Sequence, residues 1–366
     1  MGHDNIAGQR KGKTLNVVIR ADNGPGIGLG HFTRSTSLAN EFAKQRHNVF
    51  LVTSKNSIIN NLAKKTYEKI IYIENEWNID CEEPIIKDFL NEKPIDIFLV
   101  DTYEASQNYY KTVSKYSKLL VTFDDVKNPN LYFDVLINGN IYAETIDYEV
   151  YSKEALLLLG PKHLVLRPEF STAKTINLKQ KVKNILVTFG GSDPLNFTAV
   201  ILKAIRKDLS GYKSLEFNVI IGPGFKNLEE IEKICRGSNV FKLINNPEDM
   251  LKIMKKADIA ISAAGSTTYE LACLGIPSII FVAADNQKLL AEEMGNKGFA
   301  INGGEIKEFN QKSFLDSLNE LINNHSIRKT IHKKAIKTFS ANGANRCVNE
   351  IITKLKYSSK RSKNNE

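Results

Sequence analysis

Apolar runs of five to seven residues alternate with longer stretches of helical period along most of this chain. That order constrains the fold more than any other feature, because strand–helix–strand alternation is the pattern of parallel sheets covered by helices. In the first half the strand candidates are 16–22, 49–54, 69–75, 96–103 and 118–125, followed by 134–140 and a short run at 155–160. Stretches such as IFLV and KLLVTF are apolar without alternation, as in strands buried on both faces. Helical patterns lie near 31–45, 56–65, 82–92 and 106–116. A second series opens at 184 with NILVTF, EFNVII, NVFKLI, DIAISA and PSIIFVA, interleaved with helices near 196–207, 227–236, 247–256, 266–273 and 286–295. The polar stretch 171–183 has no hydrophobic period and reads as a linker, and beyond 308 the pattern is helical to about 357. The expectation is two doubly wound α/β domains in tandem, 14–172 and 184–357, with flexible tails at 1–13 and 358–366.

Composition narrows the function classes. With 42% hydrophobic and 25% charged residues over a length of 366, each half can bury its own core, and wholesale disorder is excluded. No run approaches the roughly 18–20 apolar residues of a membrane span. The first residues are polar and do not read as a secretory signal. Cys81, Cys235, Cys273 and Cys347 share no CxxC spacing, which fits buried thiols in a reducing cytoplasm and no metal site. Of the net charge of +9, residues 1–13 carry +2 and residues 352–366 carry +4. The body therefore lacks the basic, aromatic-interleaved face of a nucleic-acid binder. The tails leave at most a weak attraction to anionic membrane or to phosphorylated substrates. Oligomeric state is not written in the sequence.

In open α/β sheets ligands sit beyond the carboxyl ends of the strands, so the loops there carry the candidates. After the first strand the chain reads Asp22-Asn-Gly-Pro-Gly-Ile-Gly28-Leu-Gly30-His31 and then an amphipathic helix. The glycines permit positive φ and close backbone approach of a ligand. The loop lacks Gly-Lys-Ser/Thr and the GxGxxG fingerprint, which argues against ATP and NAD. No cofactor is expected. His31 lies at a strand-to-helix junction, where the helix dipole favours the neutral imidazole a general base needs. The remaining histidines, His163 and His332 among them, read as surface residues. Asp101-Thr-Tyr103 ends a buried strand, placing the Tyr103 phenol in the same crevice. Asp124 and Asp125 close the next strand and read as caps.

In the second half, Gly190-Gly191-Ser192-Asp-Pro forms another strand–glycine loop–helix unit. Ser262-Ala-Ala-Gly265-Ser266-Thr267-Thr-Tyr-Glu270 places free amides and hydroxyls where strand gives way to helix, a good diphosphate cradle. Glu270, one turn on, can accept two ribose hydroxyls, although Thr267-x-x-Glu270 also fits a capping box. The polar trio Asp285-Asn286-Gln287 suits sugar hydroxyls or an acetamido group, or caps the next helix.

With these residues in order, the chain resembles the UDP-2,4-diacetamido-2,4,6-trideoxy-β-L-altropyranose hydrolases of pseudaminic acid synthesis, with spore-coat polysaccharide relatives. More broadly it is similar to nucleotide-sugar enzymes of the MurG type. The matching segments are RADNGPGIGLGHFTRS, VDTY, TFDD, LINGN, LLGPKHLVLRPEF, TFGGSDPLN, SAAGSTTYE and ADNQ, colinear from residue 20 to about 290. The resemblance implies a GT-B-like fold, with two Rossmann-like domains facing a central cleft. It implies attack of water at the anomeric carbon of a UDP-activated amino sugar, without metal or cofactor. His31 would be the base, Tyr103 and Asn286 would lie by the sugar, and Glu270 would hold the ribose. The alternative left open is an inverting glycosyltransferase in which His31 deprotonates an acceptor hydroxyl.

Overall fold

The computed structural model describes residues 13–22, 30–55, 61–74, 78–102, 104–129, 131–150 and 154–364. Among these, the first half forms β1 (Asn16–Ala21), β2 (Asn48–Ser54), β3 (Lys69–Ile73), β4 (Ile95–Asp101), β5 (Ser117–Phe123), β6 (Val135–Asn138) and β7 (Leu156–Leu159). They assemble as one all-parallel sheet in the order β3-β2-β1-β4-β5-β6-β7. Helices α1 (Gly30–Lys44), α2 (Asn61–Thr66), α3 (Ile79–Glu92) and α4 (Gln107–Val113) connect the first five strands. Every residue of β4 is buried, as the unbroken apolar run requires of a strand covered on both faces.

The second half repeats the scheme. Its strands are β8 (Asn184–Thr188), β9 (Glu216–Ile221), β10 (Phe241–Asn245), β11 (Ile259–Ala263), β12 (Ser278–Val282) and β13 (Ile301–Glu305), in the order β10-β9-β8-β11-β12-β13. Its helices are α5 (Phe197–Arg206), α6 (Leu228–Cys235), α7 (Met250–Met254), α8 (Ser266–Leu274), α9 (Lys288–Asn296), α10 (Gln311–Asn323) and α11 (His325–Thr338). Strand β13 escaped the sequence reading because INGGE carries two glycines and no apolar run. It pairs with β12 at the sheet edge through a shifted register.

The last helix, α12 (Gly343–Asn364), departs from the expected boundaries. Rather than completing the second domain, it lies against α1 of the first. Ala344, Cys347, Val348, Ile351, Ile352 and Leu355 join the core beneath β1, β2 and β4. The helix also runs on through residues 358–364, which the sequence reading assigned to a tail. Its buried face was legible from the period; the domain that face covers was not. At its start, Gly343 passes so close to Leu164 that a Cβ would fall 1.9 Å from the Leu164 carbonyl oxygen.

An apolar cluster joins the halves. Ile141, Tyr142, Leu164, Leu166 and Phe170 pack with Tyr269, Leu271 and Leu274 of α8 and with Met250 and Met254 of α7. Asn140 follows the carboxyl end of β6 and Tyr269 the carboxyl end of β11, so these contacts bring the ligand-binding edges of the two sheets together. Among the described residues no helix is long and apolar enough to cross a membrane.

Candidate functional site

Each sheet reverses its strand order at one place, between β1 and β4 in the first domain and between β8 and β11 in the second. Reversal opens a crevice at the carboxyl ends of the two central strands. The candidate residues that the structure describes gather at both crevices.

In the first domain, β1 and β4 pair with Ala21 opposite Asp101, so the helix entered after β1 begins beside the carboxyl end of β4. His31, in the first turn of α1, places Nδ1 2.6 Å from Asp101 Oδ1. Arg34, one turn further, donates from Nε and Nη2 to the two oxygens of the same carboxylate at 2.9 and 2.7 Å. Ser35 Oγ adds a fourth bond at 2.8 Å. Burial would raise the Asp101 carboxyl; Arg34, followed by His31, overcomes this and holds it well below the usual carboxylate range. An ionised Asp101 accepts from Nδ1–H and leaves the imidazole lone pair on Nε2, the arrangement of an oriented general base.

The network continues inward. Arg34 Nη1 donates to Asp125 Oδ2 at 2.6 Å, while its guanidinium lies 4.3 Å from the centre of the Phe123 ring. Asp124 accepts from the backbone amides of Val126, Lys127 and Asn128, closing a turn with no helix after it, so it is not the helix cap expected. Asp125 instead engages Arg34 and the Asn140 side-chain amide. Sequence reasoning left Asp101, Arg34, Asp125 and Asn140 without site roles, because His31 and Arg34 meet Asp101 and Asp125 across 67 to 91 positions, and only once the sheet order is known. Gly30 is exposed at the start of α1, and among the described residues nothing lies within 4 Å of a Cβ placed on it. Gly28 and Tyr103 lie outside the described residues.

In the second domain, Gly190, Gly191 and Ser192 form an exposed loop after β8. Gly190 has φ +81°, and the Gly191 carbonyl accepts from Gly224 at 2.8 Å. A Cβ on Gly222 would lie 2.3 Å from that carbonyl oxygen, so the loops after β8 and β9 form one close-set wall. Asp193 closes the loop by accepting from the amides of Phe197 and Thr198 at the start of α5.

Beside it, α8 begins at Ser266 with Gly265, which has no side chain to cap it, as N-cap. Thr267 and Glu270 therefore do not form the capping box, and the helix start remains suited to an anion. Glu270 is 1% exposed. Its Oε1 lies 2.8 Å from Arg167 Nε, and its Oε2 is buried without a hydrogen-bond partner among the described residues. Burial pushes this carboxyl up to about 7, against the opposing pull of Arg167. Asn286 and Gln287 follow β12 in a single 3-10 turn with Asp285. Asn286 is exposed, while Gln287 accepts from the Ala283 amide and brings its Nε2 within 3.7 Å of a Cβ placed on Gly265. The structure thus unites the Gly265–Glu270 and Asn286–Gln287 clusters.

Two readings change: His163 is not a surface residue, and Cys81 is not a buried thiol. His163 is 2% exposed and bonds the Leu159 carbonyl and Glu350 of α12, fixing that helix to the first domain. His332 bonds the Gly275 carbonyl at 2.7 Å. Cys81 is exposed, whereas Cys235, Cys273 and Cys347 are buried.

Residues 184–347 match the glycosyltransferase family 28 C-terminal domain. An uncharacterized protein of Methanocaldococcus jannaschii is 30% identical over 287 residues, 75% of this chain but 57% of that protein. The spore coat polysaccharide biosynthesis protein SpsG of Bacillus subtilis is 26% identical over 87% of this chain and 92% of its own length. The UDP-2,4-diacetamido-2,4,6-trideoxy-β-L-altropyranose hydrolase of Campylobacter jejuni is 22% identical over 78% and 98%. Among solved structures, MurG of Acinetobacter baumannii superposes with a TM-score of 0.63 at 15% identity, covering 93% of this chain and all of that one. The fold is GT-B, and residues 184–347 are similar to the family 28 C-terminal domain.

Proposed function

We propose that this protein hydrolyses a UDP-activated diacetamido-trideoxy sugar at the anomeric C–O bond, releasing UDP and the free sugar for nonulosonic (pseudaminic) acid synthesis. The observation that carries the reading is the His31–Asp101 pair at the first crevice, joined through Arg34, Asp125 and Asn140 to the helix that opens the second. The similarity to the Campylobacter hydrolase and to SpsG supports the sugar class.

His31 Nε2 takes a proton from water as the water oxygen attacks the anomeric carbon, and the imidazolium that forms is stabilised by Asp101. The glycosidic C–O bond breaks toward the diphosphate, whose charge the uncapped amides at Gly265–Thr267 stabilise. Gly190, Gly191 and Ser192 contact the nucleotide from the neighbouring loop, and Glu270 receives the ribose hydroxyls. Asn286 and Gln287, with Gly28, Gly30 and Tyr103, address the sugar. No metal or cofactor enters these steps.

A second reading, an inverting UDP-sugar-dependent glycosyltransferase, is favoured by the family 28 match. There His31 deprotonates an acceptor hydroxyl. Incubation with the UDP-sugar in 18O-labelled water separates the two. Free sugar carrying the label at its anomeric oxygen, and absent with His31→Ala, is expected. A substrate that persists in water and turns over only when an acceptor is added would replace hydrolysis by transfer.

A further inference from the structure

We infer that Asn140 and Tyr269 are positioning residues that hold His31 in register with α8, an inference that rests on the function proposed above. Tyr269 Oη accepts from the Ile141 amide at 3.0 Å. Because that N–H can only donate, the phenol's own proton is directed to Asn140 Oδ1, also at 3.0 Å. The orientation of the Asn140 amide is thereby fixed. Its Nδ2 protons go to Asp125 Oδ1 and Asn138 Oδ1, each at 2.8 Å.

From there Asn140 donates to Asp125 and Arg34 to both Asp125 and Asp101; an ionised Asp101 takes Nδ1–H of His31 at 2.6 Å, while Arg34 Nη2 lies 3.1 Å from the same nitrogen. The bonds from Asn140 to His31 involve ionised groups and span 2.6–2.9 Å, the range of strong charge-assisted contacts. Apolar packing at Ile141, Tyr142 and Leu166 already joins the domains, so adhesion alone needs no such chain. What the chain adds is orientation. It ties Nδ1 of the base to the fourth residue of the helix whose amides face the leaving group. Attack by water tolerates errors well below 1 Å in that separation.

Tyr269→Phe withdraws the donor that holds Asn140 Oδ1 and slackens the Asn140–Asp125 bond, and Asn140→Asp sets a second carboxylate against Asp125. Either change shifts Arg34, whose Nη2 lies 2.7 Å from Asp101 Oδ1 and 3.1 Å from His31 Nδ1, and with it the balance that sets the His31 tautomer. The test uses [15N]histidine-labelled protein at pH 8, where ring-nitrogen shifts distinguish Nδ1–H from Nε2–H and the His31 signals are assigned by their loss in His31→Ala. The parent is expected to show the Nδ1–H form alone. Tyr269→Phe and, more strongly, Asn140→Asp are expected to show a second His31 form while the affinity for UDP, read by calorimetry, is unchanged. Turnover of the UDP-sugar should then fall by about tenfold or more. A mixture of forms in the parent, or the single form retained in both variants, overturns the inference. UDP that binds neither parent nor variants overturns the proposed function instead, and the tautomer measurement still decides the positioning.

Discussion

Glu270→Gln should make the protein more stable at pH 8 while weakening its hold on UDP. In the folded protein the carboxyl is raised from 4.5 to about 7 by burial. A carboxyl raised on folding binds its proton more tightly in the native than in the unfolded state, so stability falls as pH rises between those two values and then levels off. Each unit is worth about 1.4 kcal/mol, so the ionised carboxylate costs the folded state about 3 kcal/mol at pH 8. Below pH 4.5 the cost vanishes. Glutamine retains the shape and removes the charge. Urea unfolding of parent and variant at pH 5 and pH 8 forms a cycle in which the parent should lose roughly 2–3 kcal/mol more than the variant across that interval. Calorimetry with UDP should show the opposite preference, with the variant binding more weakly because the ribose hydroxyls lose their ionised acceptor. Equal pH dependence in the two proteins would refute the buried, half-partnered carboxylate. Equal UDP affinity would refute its role at the ribose.

Other expectations follow from the same geometry. Asp101→Asn leaves Arg34 with Asp125 as charged partner but takes away the carboxylate that receives its Nε and Nη2, and should cost about 1–3 kcal/mol at pH 7, together with most of the turnover. Because the Asp101 carboxyl is lowered on folding, its stabilising contribution is complete above the unfolded value of 3.8 and declines as pH falls further. Acid unfolding of Asp101→Asn should therefore be shallower than that of the parent. Gly222→Ala forces the loops after β8 and β9 apart and should cost about 1–3 kcal/mol by urea unfolding, with weaker UDP binding; an unchanged protein would show that the two loops are not packed as a wall.

The alternation of apolar runs and helical periods marked nearly every strand, because strands buried on both faces have no other way to be written. β13 was missed for the complementary reason: its residues alternate between intermediate and exposed, and two of them are glycines. At the site, the loops and helix starts were legible because each is local, as in Gly265–Glu270. The partners of His31 were not. Arg34 and Asp101 are separated by 67 positions and Asn140 and Tyr269 by 129, and only the strand order and the meeting of two sheets bring them together. The capping box failed because a helix can begin at Gly265 without Thr267 turning back to bond it.

The return of α12 to the first domain has a consequence for the order of synthesis. Val348, Ile351, Ile352 and Leu355 bury aliphatic side chains in the core built on β1, β2 and β4, a contribution of roughly 6–12 kcal/mol. That is comparable to the whole stability of a typical domain. A ribosome delivers residues 14–172 long before residues 343–355, so the domain that leaves the tunnel first is the last to be complete. Until then it exposes the apolar face that α12 will cover, while the second domain can already close. A nascent chain halted before residue 343 would therefore display a folded second half beside an unfinished first half, with chaperone binding concentrated on α1.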